Sequence, residues 1–355
     1  EGLPHAELSA AKRQELLAPD DPKVATDLNN LAQLLQKTNR LAEAEPLMRR
    51  VLAIDEKRFG PDHPKVFVRL NNLAQLLHDT NRLAEAEPLM RRALAIGEKS
   101  LGPDHPEVAT ELNNLALLLH DTNRLAGAEP LMRRALAIDE RSFGSHDPKV
   151  ATELGNLASL LEATNRLAEA EPLMRRALAI DEKSFGPNHP EVATRLSNLA
   201  ALLYATNRLA EAEPLMRRAL AIDEKSFGPD HPSVARALNN LAQLLKATSR
   251  LAEAEALMRR ALAIDEKSLG RDHPDVATGL SNLAALLYAT DRLEEAEPLI
   301  RRAAQIWRCF DVKTGHRHPT YEVGLGNFAA ILSALGRSEA EIEAEVAALR
   351  DLDCP

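Results

Sequence analysis

The chain has 355 residues, a net charge of −9, and 45% hydrophobic, 27% charged and 3% aromatic side chains. That composition affords a packed core and excludes wholesale disorder. The scarcity of aromatic faces excludes carbohydrate-stacking clefts and single-stranded nucleic-acid platforms, and the acidic balance excludes a phosphate-backbone binder, so no nucleic-acid partner is expected.

No apolar run approaches the ~20 residues that span a bilayer, so no membrane partner is expected either. No signal peptide is visible. Cys309 and Cys354 lie near the C-terminus, give no disulfide framework and fit a reducing, cytoplasmic compartment. Length alone suggests about two domains. The methionines argue otherwise. Met48, Met90, Met132, Met174, Met216 and Met258 recur in steps of 42 residues, with Ile300 in the next place. Such a period marks an internal repeat, and repeat arrays are quasi-one-dimensional, with no single central core.

Residues 1–21 align with the second half of a unit, Pro4 falling where Pro46 does and Pro19-Asp20 where Pro61-Asp62 do. We expect a degraded half-repeat there, an N-terminal cap helix. With the chain starting at Glu1 and not Met, it suggests a piece of a longer protein. Residues 22–318 read as seven 42-residue units beginning at Pro22, Pro64, Pro106, Pro148, Pro190, Pro232 and Pro274, the last with a loop three residues longer, "DVKTGHRH". Residues 319–355 read as a divergent eighth unit from Pro319 and a C-terminal cap, whose last helix, about Glu339 to Arg350, is rich in glutamate.

Each unit reads as two helices. In the first, Val24, Leu28, Leu31, Ala32 and Leu35 recur at three- and four-residue steps. Pro22 suits the first helical position, and Asp20 and Asp21 stand where carboxylates cap free amides. Thr38-Asn39-Arg40 is a short turn in which Asn39 takes the left-handed conformation that ends a helix. The second helix carries Leu41, Ala44, Leu47, Met48, Val51, Leu52 and Ile54, and Gly60-Pro61 ends it. Pro46 lies near its start, where a mild kink is expected.

The small and large apolar residues interlock, Leu31-Ala32 against Ala44 and Met48. Together with "NRLAEAEPLMRRAL" and "LNNLA", this resembles the tetratricopeptide repeat, and the 42-residue unit ending in "GPDHPxVA" resembles the repeats of kinesin light chains and their bacterial relatives. The resemblance implies an all-α, right-handed superhelical solenoid of antiparallel helix pairs, with the first helices lining a concave groove for an extended peptide. It also implies a ladder of asparagines that grips the peptide backbone. The matching residues are Asn30, Asn72, Asn114, Asn156, Asn198, Asn240, Asn282 and Asn327. An amide side chain both donates and accepts, so it serves a peptide unit of any sequence. The alternative is that these asparagines tie helices to the neighbouring unit, which would leave them satisfied internally.

Variation among units gathers on the first helix, at positions three, six and seven after the ladder asparagine, the first and last of them on its face. Gln33, Lys37, Gln75, Asp79 and Asp121 make the first half of the array polar. In the second half, alanines stand beside Tyr204, Gln243 and Tyr288. These are candidate determinants of which side chains a ligand carries; the alternative is drift at exposed sites. The arginine pairs, Arg49-Arg50 through Arg301-Arg302, form either a basic ridge for an acidic partner or ion pairs with Glu45-type carboxylates of the same and adjacent units.

His63, His105, His189, His231 and His273 precede the first helices. Neighbouring helices are ~8–10 Å apart, too far for one zinc site, so loop capping is the better reading. His316 and His318 near Cys309 are the other metal candidates. There is no "GxxxxGK" loop and no nucleophile motif, so no enzyme, metal or cofactor is expected. The reading is therefore a non-enzymatic, monomeric scaffold for a protein or peptide partner. The alternatives are a sensor module of a larger signalling protein, after a nucleotide-binding switch or a protease, and an array that associates end to end.

Overall fold

In the computed structural model, Ala18 and residues 21–354 are described, so the half-repeat expected over 1–21 lies almost wholly outside the described residues. Two compact units divide the chain, residues 1–180 and 181–355. The first holds α1 (Pro22–Lys37), α2 (Leu41–Phe59), α3 (Pro64–Asp79), α4 (Leu83–Ser100), α5 (Pro106–Asp121), α6 (Leu125–Phe143), α7 (Pro148–Ala163) and most of α8 (Leu167–Phe185). The second holds α9 (Pro190–Ala205), α10 (Leu209–Phe227), α11 (Pro232–Ala247), α12 (Leu251–Leu269), α13 (Pro274–Ala289), α14 (Leu293–Thr314), α15 (Tyr321–Ala334) and α16 (Glu339–Arg350). No strand occurs among the described residues. Consecutive helices pack in pairs, one pair per repeat.

The repeat boundaries are set by local chemistry. Seven first helices begin on proline, and the residue before each proline caps the helix. Asp21 Oδ1 and Asp147 Oδ1 each accept a backbone N–H at 2.8 Å, from Lys23 and Lys149. His63, His105, His189, His231 and His273 do the same through Nδ1, at 3.1 to 3.2 Å. This is the capping role read from the sequence. His105→Ala is expected to cost about 1 kcal/mol in urea melts, and His105→Asp close to nothing, because Asp147 already caps one repeat.

The turns behave as the sequence suggests. Asn39, Asn81, Asn123, Asn165 and Asn207 all have φ of 56 to 58°. Gly60 closes α2 at φ 88°, where a Cβ would be strained. Pro46 lies inside α2, five residues from its start and exposed, so the lost backbone bond falls on the solvent side. In each repeat the two helices bury one seam. Val108, Ala109 and Leu112 of α5 meet Ala135 and Ile138 of α6, with all five essentially inaccessible. The alanines let the helices approach closely, and the leucines fill the space between them.

The paired arginines join repeat to repeat. Arg92 Nη2 donates to Pro61 O at 2.7 Å and Arg134 Nη2 to Pro103 O at 2.9 Å, while their other nitrogens pair with Glu56 and Glu98. In the second unit Arg218 does the same with Glu182 at 2.6 Å and Pro187 O at 2.8 Å. Glu129 is held below the usual carboxylate range, first by its hydrogen bond from Arg133 and next by that from Arg166. The arginines therefore follow the ion-pair reading.

Two features differ from expectation at the C-terminal end. Cys309 and Cys354 form a disulfide, where no disulfide was expected. Because Cys354 lies outside the repeats, no sister position hinted at the pairing. The eighth unit's first helix starts at Tyr321, two residues after Pro319. Here Thr320 provides no side-chain cap, and His318 takes the Thr320 N–H at 3.4 Å instead. The last helix runs from Glu339 to Arg350 as read, opened by a reciprocal Ser338–Glu341 capping box.

Candidate functional site

Each first helix leaves one stripe uncovered. In α1 it is Thr26, Asn30, Gln33 and Lys37, four exposed residues at helical spacing on one face. The same stripe repeats in each of the other six regular first helices, with every member exposed or half-buried. It contains seven of the ladder positions, and the eighth, Asn327, lies on α15. Asn30, Asn198, Asn240 and Asn327 are exposed, and Asn72, Asn114, Asn156 and Asn282 are half-buried. Apolar residues on the opposite side of the helix, such as Leu28 and Leu35, fix this orientation by their burial.

Asn156 Nδ2 donates to Asn113 Oδ1 of α5 at 3.1 Å, so one ladder asparagine ties two neighbouring first helices as the alternative reading expects. Its own Oδ1 is left as an acceptor. Asn240 and Asn282 line one pocket of about 420 Å³ between α11 and α13, and Asn327 lines a smaller one of about 60 Å³ with Ala285 and Tyr288.

The variable positions separate by chemistry as well as by sequence. Gln75 donates to Asp79 at 2.7 Å, and His78 Nε2 lies 3.0 Å from Asp121 Oδ2, bridging α3 and α5. Gln33 and Lys37 are exposed on α1. In the second unit Tyr204 is 39% and Tyr288 44% exposed, large rings left in solvent, and Gln243 is half-buried. Neither tyrosine is needed to close the core.

Beneath the stripe lies a second layer that the repeat reading passed over. The residue three before the ladder asparagine faces one register of the preceding second helix, which holds an aspartate in five repeats, Asp55, Asp139, Asp181, Asp223 and Asp265. At the first such junction Arg69 Nε donates to Asp55 Oδ2 at 2.8 Å, and Arg69 Nη1 to Asn29 Oδ1 at 2.6 Å. Arg195 meets Asp181 likewise at 2.8 Å. At another junction Glu153 replaces the arginine over Asp139, and burial, with Asp139 adding, pushes its carboxyl up to about 8. Burial also pushes Glu111 up to about 7, with Glu107 adding and a hydrogen bond from Asn71 opposing. The signal was present in the sequence as a charge alternation fourteen residues apart, Asp55 to Arg69.

The other chemistry considered from sequence is placed differently. His318 stacks on Trp307 at 5.7 Å, and Cys309 is spent in the disulfide. No three His, Cys, Asp or Glu side chains among the described residues are grouped to hold a metal ion. No helix among them is long and apolar enough to cross a membrane.

Solved structures resemble this arrangement. The nearly identical TPR-like repeats of a Podosopora anserina protein described as a kinesin light chain are 26% identical, covering 58% of this chain and 98% of that one at a TM-score of 0.52. BtubC (BKLC) from P. vanneervenii is 24% identical over 68% of this chain and 94% of its own, TM-score 0.56. A STAND signal-transduction ATPase with a tetratricopeptide repeat sensor, from Pyrococcus horikoshii, shares the fold at 16% identity and TM-score 0.63, over 92% of this chain and 47% of that one. No curated protein matched. The tetratricopeptide repeat profile matches residues 1–57, 25–99, 67–141, 149–225, 196–267 and 233–309. With paired helices at a constant period and this profile across most of its length, the chain belongs to the tetratricopeptide repeat family.

Proposed function

We propose that the protein is a non-enzymatic scaffold that holds an extended peptide, or an extended segment of a partner protein, along the stripe of its first helices. The observation that carries this reading is the recurrence of a solvent-reachable asparagine amide at one register in every repeat. Hydrophobic packing does not require it, since the buried seam lies on the other face. A row of amides at repeat spacing suits a backbone, whose donors and acceptors also recur. Each such bond contributes on the order of 1 kcal/mol net, so several repeats must act together.

The variable positions then select side chains, polar ones against Lys37, Asp79 and Asp121 and bulkier apolar ones against Tyr204 and Tyr288. A sensor module within a longer signalling protein uses the same stripe and differs only in what is attached. The STAND protein's sensor is a precedent for that fold in such a role.

The test is peptide display on the intact chain, followed by affinity measurements. Replacing Asn72, Asn114 and Asn156 together by alanine is expected to weaken a peptide selected on the first unit by about 100-fold, at an average of about 1 kcal/mol per asparagine, with helix content unchanged. Unchanged affinity would sink the ladder. Sedimentation is expected to give a monomer at every concentration.

A further inference from the structure

At one junction of the layer under the stripe an aspartate and an asparagine are kept at the acceptor positions but face a glycine. At the first junction Arg69 is held by two acceptors, Asp55 at 2.8 Å and Asn29 at 2.6 Å. Five repeats later those acceptors recur as Asp265 and Asn239, but the arginine's place is taken by Gly279. The result is the pocket of about 420 Å³, lined by Asp265, Asn239, Asn240, Asn282, Thr278 and Gly279 among others. Built on Gly279, a Cβ would touch only Leu262 Cδ1, at 3.4 Å, which is ordinary van der Waals contact, so the backbone leaves room for a side chain.

We propose that this pocket binds an arginine side chain of the partner, whose guanidinium takes the place that Arg69 fills from within the chain at the first junction. The class of ligand follows from the acceptors. A planar fork with several N–H donors satisfies a carboxylate and an amide oxygen together, and Arg69 does so with the same two residue types. The charges around the pocket agree. Burial pushes the Asp265 carboxyl up to about 6, with Asp275 adding and His273 opposing. A carboxylate so destabilised gains from a cation brought to it. Arg236 also stands on the wall, but its charge acts on Asp223 of the preceding repeat. Asn240 and Asn282 border the same pocket, so a backbone held by the ladder would present its side chain here.

This inference rests on the peptide reading for its biological ligand, but its test does not. The probe is N-acetyl-arginine amide, titrated into the isotope-labelled full chain, with N-acetyl-citrulline amide as the neutral isostere. We expect saturable shifts at Asn239, Thr278, Gly279 and Asn282 with arginine, and none with citrulline. Asp265→Asn should weaken arginine binding at least about tenfold, the loss of one charge-assisted bond. Gly279→Arg should abolish it by filling the pocket from within, and raise the melting temperature by about 2–4 °C. If Gly279→Arg fails to fold, Asp265→Asn still decides.

Absence of saturation, equal binding of citrulline, or arginine binding that survives Asp265→Asn would overturn the proposal. Arginine binding here without any peptide binding would leave the socket standing and remove the ladder. Selected peptides that lack arginine yet depend on the asparagines, with no arginine shifts, would do the reverse.

Discussion

Glu153→Gln is expected to stabilise the first unit by on the order of 5 kcal/mol at about pH 8.5 and by well under about 1 kcal/mol at about pH 4.5. Glu153 is 6% and Asp139 5% exposed, and Glu153 Oε2 and Asp139 Oδ1 have no hydrogen-bond partner. Burial, with Asp139 adding, pushes Glu153 up to about 8. An unfolded chain releases that proton in the ordinary carboxylate range, near 4.3. Between the two values the folded state holds a proton that the unfolded state has lost. Stability from this group is therefore complete below the lower value and drains away as pH rises towards the upper one. Glutamine cannot ionise, so its advantage grows over the same window.

Glu111, pushed up to about 7 by burial, has the same sign and is left in place as a common background. Asp139 is raised as well, by burial first, with Lys149 opposing and Asp147 adding. The stabilisation should appear as the difference between variant and wild-type urea midpoints across a pH series. That comparison cancels the many surface carboxylates whose arginine partners lower them. A constant difference from acid to alkaline pH would contradict this account. Glu153→Arg should stabilise further, because Arg195 and Asp181 form an ion pair at the matching positions of the next repeat.

Trp307→Ala is expected to cost about 3–5 kcal/mol and to release the eighth repeat first. Trp307 is 1% exposed and occupies the register that Asp55 and its sisters hold elsewhere. Opposite it, Gly324 stands where Arg69 and Arg195 stand in other repeats. A Cβ on Gly324 would sit 2.3 Å from Trp307 Cζ3, so the indole packs directly on helix backbone. An ion pair has thus been replaced by an aromatic plate on a glycine. Removing the indole leaves a large cavity between α14 and α15. Hydrogen exchange should show α15 and α16 losing protection, while helices of the first unit keep theirs. Uniform loss across the chain would contradict that local role, since repeats couple mainly to their neighbours. Gly324→Ala should act in the same direction, by overpacking, with a cost of about 2–3 kcal/mol.

Much of this architecture was legible because each local signal recurs. A proline at the first helical turn, a capping residue before it, a residue in the left-handed region (asparagine in five repeats, Ser249 in the sixth) and a glycine at the second helix's end mark every boundary from Pro22 to Gly270. The stripe was legible for the same reason, since the helical period places Asn30, Gln33 and Lys37 on one face.

The junction layer was not. Asp55 and Arg69 lie in different repeats, and only the packing of one repeat on the next brings them to 2.8 Å. The buried carboxylate at Glu153 reads in sequence as one more solvated charge, because burial of its position depends on the neighbouring helices. The end of the chain was hardest. Cys354 and the start of α15 have no sister copies to reveal them, and a lone cysteine pair does not disclose its geometry.

The most direct test of the peptide-holding stripe is to watch the asparagines themselves. A peptide selected on the intact chain would be titrated while the side-chain amide resonances of Asn72, Asn114 and Asn156 are followed by NMR. We expect all three to shift together, saturating with the binding curve, and to show contacts with peptide backbone protons. Saturable binding with those amides unmoved, and shifts confined to the second helices, would contradict it.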